Sequence, residues 1–74
     1  LTLEQYELML KDQCGVCAIC GRVNDDGRRL SVDHNHLTGA IRSLLCGNCN
    51  LVVGNSKENV ETLLKVIEYI KKYS

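Results

Sequence analysis

At 74 residues and 8.3 kDa the chain has room for a single domain, expected to run over 1–74. So short a chain buries only about 60% of its unfolded surface, and its core alone rarely supplies more than ~3–5 kcal/mol, so a staple is expected. Nine basic residues balance nine acidic ones, and no apolar run approaches the ~18 residues of a bilayer span; a strongly basic binder and a membrane protein are both excluded.

Leu1 to Asp12 reads as a short helix. Thr2 is its N-cap, Gln5 the reciprocal capping partner, and Leu1 with Tyr6 a hydrophobic staple. Leu3, Tyr6, Met9 and Leu10 share one face. Cys14 to Gly21 reads as a cysteine knuckle, and Asn24, Asp25, Asp26 and Gly27 as a turn. Leu30 to Asp33 is a short strand, Thr38-Gly39 a second turn, and Ala40 to Leu45 a second strand. Cys46 to Cys49 forms another knuckle and opens a short helix ending near Gly54. Asn55 and Glu58 suggest a new cap, followed by a helix to about Lys72. Val60, Leu63, Leu64, Ile67 and Ile70 fall on one face of that helix, a pattern more typical of core than of partner surface.

Five cysteines in such a chain are the expected staple. Cys17/Cys20 and Cys46/Cys49 are two C-x-x-C pairs flanking residues 21–45. A tetrahedral zinc ion takes four thiolates at about 2.3 Å, and a two-residue spacer lets one tight turn supply two of them. The spacing between pairs is longer than usual but has room for a hairpin. A disulfide framework is the weaker reading, since the cysteine count is odd and no charged-then-apolar N-terminal stretch reads as a secretory signal. Four thiolates leave no open position, so the zinc would be structural. Cys14 also stands in a C-x-x-C with Cys17. Gly21 after Cys20, where a knuckle turn favours positive φ, selects Cys17/Cys20 as the pair and leaves Cys14 spare.

Between the knuckles lies Val32-Asp33-His34-Asn35-His36, with Thr38-Gly39 behind it. A carboxylate such as Asp33 holds a hard cation through oxygen. His34 is suited to general-base work near neutral pH. Asn50, directly after Cys49, offers a neutral amide oxygen to the same ion, and a zinc staple would bring it next to Asp33 and His34. Singly, Asp33 and Asn35 read as turn residues and Asn50 as a cap; it is their combination inside one stapled loop that points to a metal-dependent site.

Three runs, Cys17-Ala18-Ile19-Cys20-Gly21, Leu30-Ser31-Val32-Asp33-His34-Asn35-His36-Leu37-Thr38-Gly39 and Ile41-Arg42-Ser43-Leu44-Leu45-Cys46-Gly47-Asn48-Cys49-Asn50, resemble the recombination endonuclease VII family. The likeness extends to Gln5-Tyr6 in the leading helix and Ile67-Glu68-Tyr69-Ile70 in the trailing one. It implies a small α+β fold, the zinc-stapled ββα-metal (HNH) fold with flanking N- and C-terminal helices, and an HNH endonuclease common in phages. By the resemblance, Cys17, Cys20, Cys46 and Cys49 hold structural Zn²⁺. Asp33 and Asn50 hold the catalytic Mg²⁺ or Mn²⁺. His34 is the general base, and His36 orients the scissile phosphate or the loop. Two positions depart from the family pattern. Cys14 stands where a small residue such as Gly is usual, and Val53 where some members carry a carboxylate.

The implied activity is hydrolysis of DNA phosphodiester bonds, on linear duplex or branched DNA, by a nickase acting as a monomer or weak dimer in the cytoplasm of a phage-infected bacterial host, alone or together with phage packaging proteins. Four thiolates around one zinc would take the formal net charge from zero to −2, so non-specific DNA affinity should be modest and steeply salt-dependent. Arg22, Arg28, Arg29 and Arg42 are the candidate phosphate contacts. No helix carries a basic stripe for reading bases. The competing reading is a non-catalytic zinc-knuckle module that binds nucleic acid or protein, which would not need Asp33, His34 and Asn50.

Overall fold

The computed structural model describes residues 1–24 and 27–74. It is a small α+β fold with the order α1 (Leu3–Asp12), β1 (Ser31–His34), β2 (Ile41–Leu45), α2 (Gly47–Asn55) and α3 (Val60–Lys72). Among the described residues no helix is long and apolar enough to cross a membrane.

α1 begins where its capping residues say it should. The Thr2 hydroxyl accepts from the Gln5 N–H at 3.1 Å, and the Gln5 side chain accepts from the Thr2 N–H at 2.8 Å. The expected core face is only partly used: Tyr6 is buried and Met9 and Leu10 pack against the core, whereas Leu1 and Leu3 remain exposed. The helix ends in a Schellman motif. The Cys14 N–H returns to the Lys11 carbonyl at 3.0 Å and the Gly15 N–H to that of Leu10 at 2.8 Å.

β1 and β2 form an antiparallel hairpin pairing Ser31 with Leu45, Val32 with Leu44 and His34 with Ile41. Three residues of β2 step along while β1 advances two, so Ser43 and Arg42 together oppose Asp33. This irregularity re-aims the chain beside Asp33, as bulges near sites commonly do. Tyr6, Cys17, Leu30, Leu44, Leu45 and Cys46 make the buried core, with Val32, Cys49 and Val53 against it.

Side-chain amides complete the framework. Gln13 Oε1 accepts from the Leu44 N–H at 2.9 Å, while its Nε2 donates to the carbonyls of Leu44 and Val16, each at 2.9 Å. Asn24 donates to the carbonyls of Arg28 and Arg29 and accepts from the Gly47 N–H at 2.6 Å, tying the first knuckle to the start of α2. At the expected turn over 24–27 the Gly27 N–H donates to the Asn24 carbonyl at 3.1 Å. Its Asp25 and Asp26 lie outside the described residues. Replacing Gln13 by Ala strips half-buried backbone groups of their partners, and is expected to cost about 1–3 kcal/mol in urea denaturation.

α3 corrects two sequence readings. Its N-cap is Asn59, whose side chain accepts from the Thr62 N–H at 3.1 Å, rather than Asn55 or Glu58. Its apolar face is not core: Val60, Leu64, Ile67 and Ile70 are all exposed, with only Leu63 half-buried. Helical periodicity shows that such a face exists, not that anything covers it.

Candidate functional site

The two C-x-x-C pairs meet. The sulfurs of Cys17, Cys20, Cys46 and Cys49 all lie within 4.8 Å of one another, and those of Cys20 and Cys46 are 3.7 Å apart. A tetrahedron with metal–sulfur bonds of about 2.3 Å has an edge of about 3.8 Å, so the cluster can hold a metal ion such as zinc. Local geometry prepares it. Gly21 takes φ +72° in the first knuckle. The Ile19 N–H points at the Cys17 sulfur and the Cys49 N–H at the Cys46 sulfur, each at 3.4 Å. Cys46 is at once a cluster sulfur and the N-cap of α2.

The thiols differ in acidity. Burial opposes ionisation of Cys17, but backbone N–H groups around its sulfur outweigh it and bring the thiol down to about 6. The Arg22 N–H draws Cys20 downward as well. Cys49 is pushed up to about 12 by burial and by the neighbouring sulfurs. A bound cation reverses that last penalty, since metal binding requires and stabilises thiolates.

Cys14 stays outside this cluster and is exposed. It occupies the position after the C-cap of α1 at φ 57°, the left-handed position that a Schellman motif normally fills with glycine. Cys14→Gly is therefore expected to raise stability by up to about 1 kcal/mol without changing metal content, read by melting and metal analysis.

Asp33 lies near the end of β1 and is 92% buried, at 8% exposure. His34 follows it at the exposed strand end, and the His34 and His36 rings meet edge to face at 4.9 Å between centroids. Asn35 builds the turn: its side-chain oxygen accepts from the N–H groups of Leu37 and Thr38 at 2.8 and 3.1 Å. Asn50 is exposed in the first half of α2, which packs against β1. The hairpin residues and the amide of α2 thus belong to one ββα unit, which Cys46 and Cys49 at the start of α2 tie to the first knuckle.

Arg42 does not present an unengaged guanidinium to solvent. Its Nε donates to Asp33 Oδ2 at 2.6 Å, one Nη to Asp33 Oδ1 at 3.0 Å, and the same Nη to Glu58 Oε1 at 2.7 Å. Glu58 Oε1 also lies 3.2 Å from His36 Nδ1. The Arg42 fork holds the Asp33 carboxyl below the usual range, against the burial that would raise it, and Arg42 lowers Glu58 in the same sense. Glu58 is the participant that sequence reasoning missed, having read it as a cap. Of the other arginines, Arg29 stacks over the Tyr6 ring at 4.4 Å. Arg22 lines a cleft of about 180 Å³ beside the cysteine cluster, and Arg28 lies on the segment that Asn24 secures. Val53 packs into the core, where an acid would be out of place.

Compared with known proteins, the chain matches the profile of recombination endonuclease VII over residues 1–72. It belongs to the recombination endonuclease VII family. A protein named Gene 59 protein from Mycobacterium phage D29 is 42% identical over 73 residues, covering 97% of this chain and 44% of that protein. The Gene 59 protein of Mycobacterium phage L5 is 41% identical over 71 residues, covering 95% and 43%. The chain thus spans less than half the length of these curated relatives. The four-cysteine cluster and the ββα unit are the parts of this family domain on which chemistry can be built.

Proposed function

We propose that the chain is an HNH-type, divalent-metal-dependent DNA endonuclease domain, folded as one unit around structural zinc at Cys17, Cys20, Cys46 and Cys49. The observation that carries this reading is the placement of Asp33 and His34 on a hairpin strand against which the Asn50 helix packs. A metal-binding module needs the cysteines but has no use for that trio.

The donor set fits a hard cation: a carboxylate from Asp33 and an amide oxygen from Asn50. Mg²⁺ or Mn²⁺ held there would supply charge neutralisation at the phosphate and at the leaving oxygen. His34, exposed at the end of β1, takes the proton of the attacking water. His36 lies against its ring and bears on the phosphate or the loop. Hydrolysis in this sense leaves a 5′-phosphate and a 3′-hydroxyl. One such site cuts one strand, so a single chain nicks. Arg22, Arg28 and Arg29 supply phosphate contacts that position DNA without reading its sequence.

The test is relaxation of supercoiled plasmid with Mg²⁺, Mn²⁺ or EDTA, run beside a synthetic four-way junction. Nicking that requires the divalent ion supports the proposal. Protein that keeps its zinc and binds DNA, yet cuts neither substrate with either ion, would make it a non-catalytic zinc module.

A further inference from the structure

We propose that Arg42 is a resident counter-cation of the divalent site, and that Glu58 is the positioning residue that draws Arg42 off Asp33 when the ion binds. This rests on the reading of Asp33 as an ion ligand. Both Asp33 oxygens are already taken by the guanidinium fork, at 2.6 and 3.0 Å. The fork engages one lone pair on each oxygen and sets a guanidinium charge against any approaching cation, so the ion must compete with Arg42 for the carboxylate. The contact that resolves the competition is already made, since the same Nη touches Glu58 at 2.7 Å. Handing Arg42 over leaves it paired and charged, and transfers no proton.

The backbone is arranged for this. The bulged register places Arg42 and Ser43 together opposite Asp33. On the other side, α2 ends in its own Schellman motif, with the Lys57 N–H on the Gly54 carbonyl and the Glu58 N–H on that of Val53. Lys57 and Glu58 both adopt left-handed backbone, at φ 55° and 59°, although neither is glycine. That costly turn throws the Glu58 carboxylate back over the hairpin, where one oxygen meets both Arg42 and His36. Without Glu58, Arg42 has Asp33 alone among the described residues. The apparent ion affinity falls with the fraction of molecules in which Asp33 is free.

The test is Mn²⁺ binding to zinc-loaded protein without DNA, followed by the paramagnetic resonance signal of free Mn²⁺, using variants that retain one zinc per chain. Arg42→Gln is expected to bind Mn²⁺ about tenfold tighter, and Glu58→Gln about tenfold weaker. In the Arg42→Gln background Glu58→Gln should change affinity less than about twofold, because its effect runs through Arg42. Arg42→Lys, which keeps the charge and loses the fork, serves where Arg42→Gln does not fold, and is expected to bind roughly threefold tighter than wild type. Unchanged or weaker binding in both Arg42 variants would overturn the proposal. So would a Glu58→Gln effect that persists in full without Arg42. Asp33→Asn protein that binds Mn²⁺ like wild type would instead remove the ion site itself.

Discussion

Removing metal from the cysteine cluster is expected to unfold the chain. Among the described residues, two of the six buried core residues, Cys17 and Cys46, carry cluster sulfurs at 2% and 5% exposure. Few apolar side chains remain to replace what the ion contributes. Apparent zinc contributions in small domains reach about 10 kcal/mol, comparable to the whole stability of an ordinary domain. A strong chelator should abolish the cooperative melt followed by circular dichroism, and stoichiometric zinc should restore it. An unchanged melting temperature in metal-free protein would show that the cluster is not the staple.

Changing His34 to Ala should separate chemistry from architecture. General-base catalysis is worth about 10²–10⁴ in rate, so plasmid nicking is expected to fall by that order. His34 is exposed at the strand end, so folding stability should stay within about 1 kcal/mol of wild type, with zinc retained. Asp33→Ala and Asn50→Ala act through the ion instead. Raising Mn²⁺ should partly restore them and leave His34→Ala unrescued. Folded His34→Ala protein that nicks at the wild-type rate would take His34 out of the mechanism.

The parts of this molecule that could be read from its residues are those specified locally. The Thr2/Gln5 capping box, the C-x-x-C knuckles and the short strands are patterns a few residues long, and the structure places them within one or two residues of expectation. The choice of Cys17 over Cys14 also rested on a local feature, the glycine after Cys20. What could not be read depends on distant partners. Gln13 stands just past the first helix with no signal of its own until Leu44, thirty-one positions away, is beside it. Asn24 reads as a turn and proves to be a three-way tie. Glu58 reads as a helix cap, and only the left-handed turn after α2 sends it to Arg42 and His36. Arg42 looks like a phosphate contact because nothing in the sequence says that a bulge sets it against Asp33. The α3 face shows the same limit from the other side, since periodicity does not name a neighbour.

The amide of Gln13 has a bearing on how the protein behaves in a crowded solution. A two-stranded ribbon has open margins, and unpaired N–H and C=O groups along such a margin are a template on which another chain can build a strand. At Leu44 that template is spoiled: one glutamine side chain takes both backbone groups, and the Ala18 N–H adds a second bond to the carbonyl at 3.1 Å. The occupant is a side chain at the end of a helix, so it cannot propagate as a strand. The hairpin bearing Asp33 and His34 is thereby shielded at Leu44 from strand addition along β2.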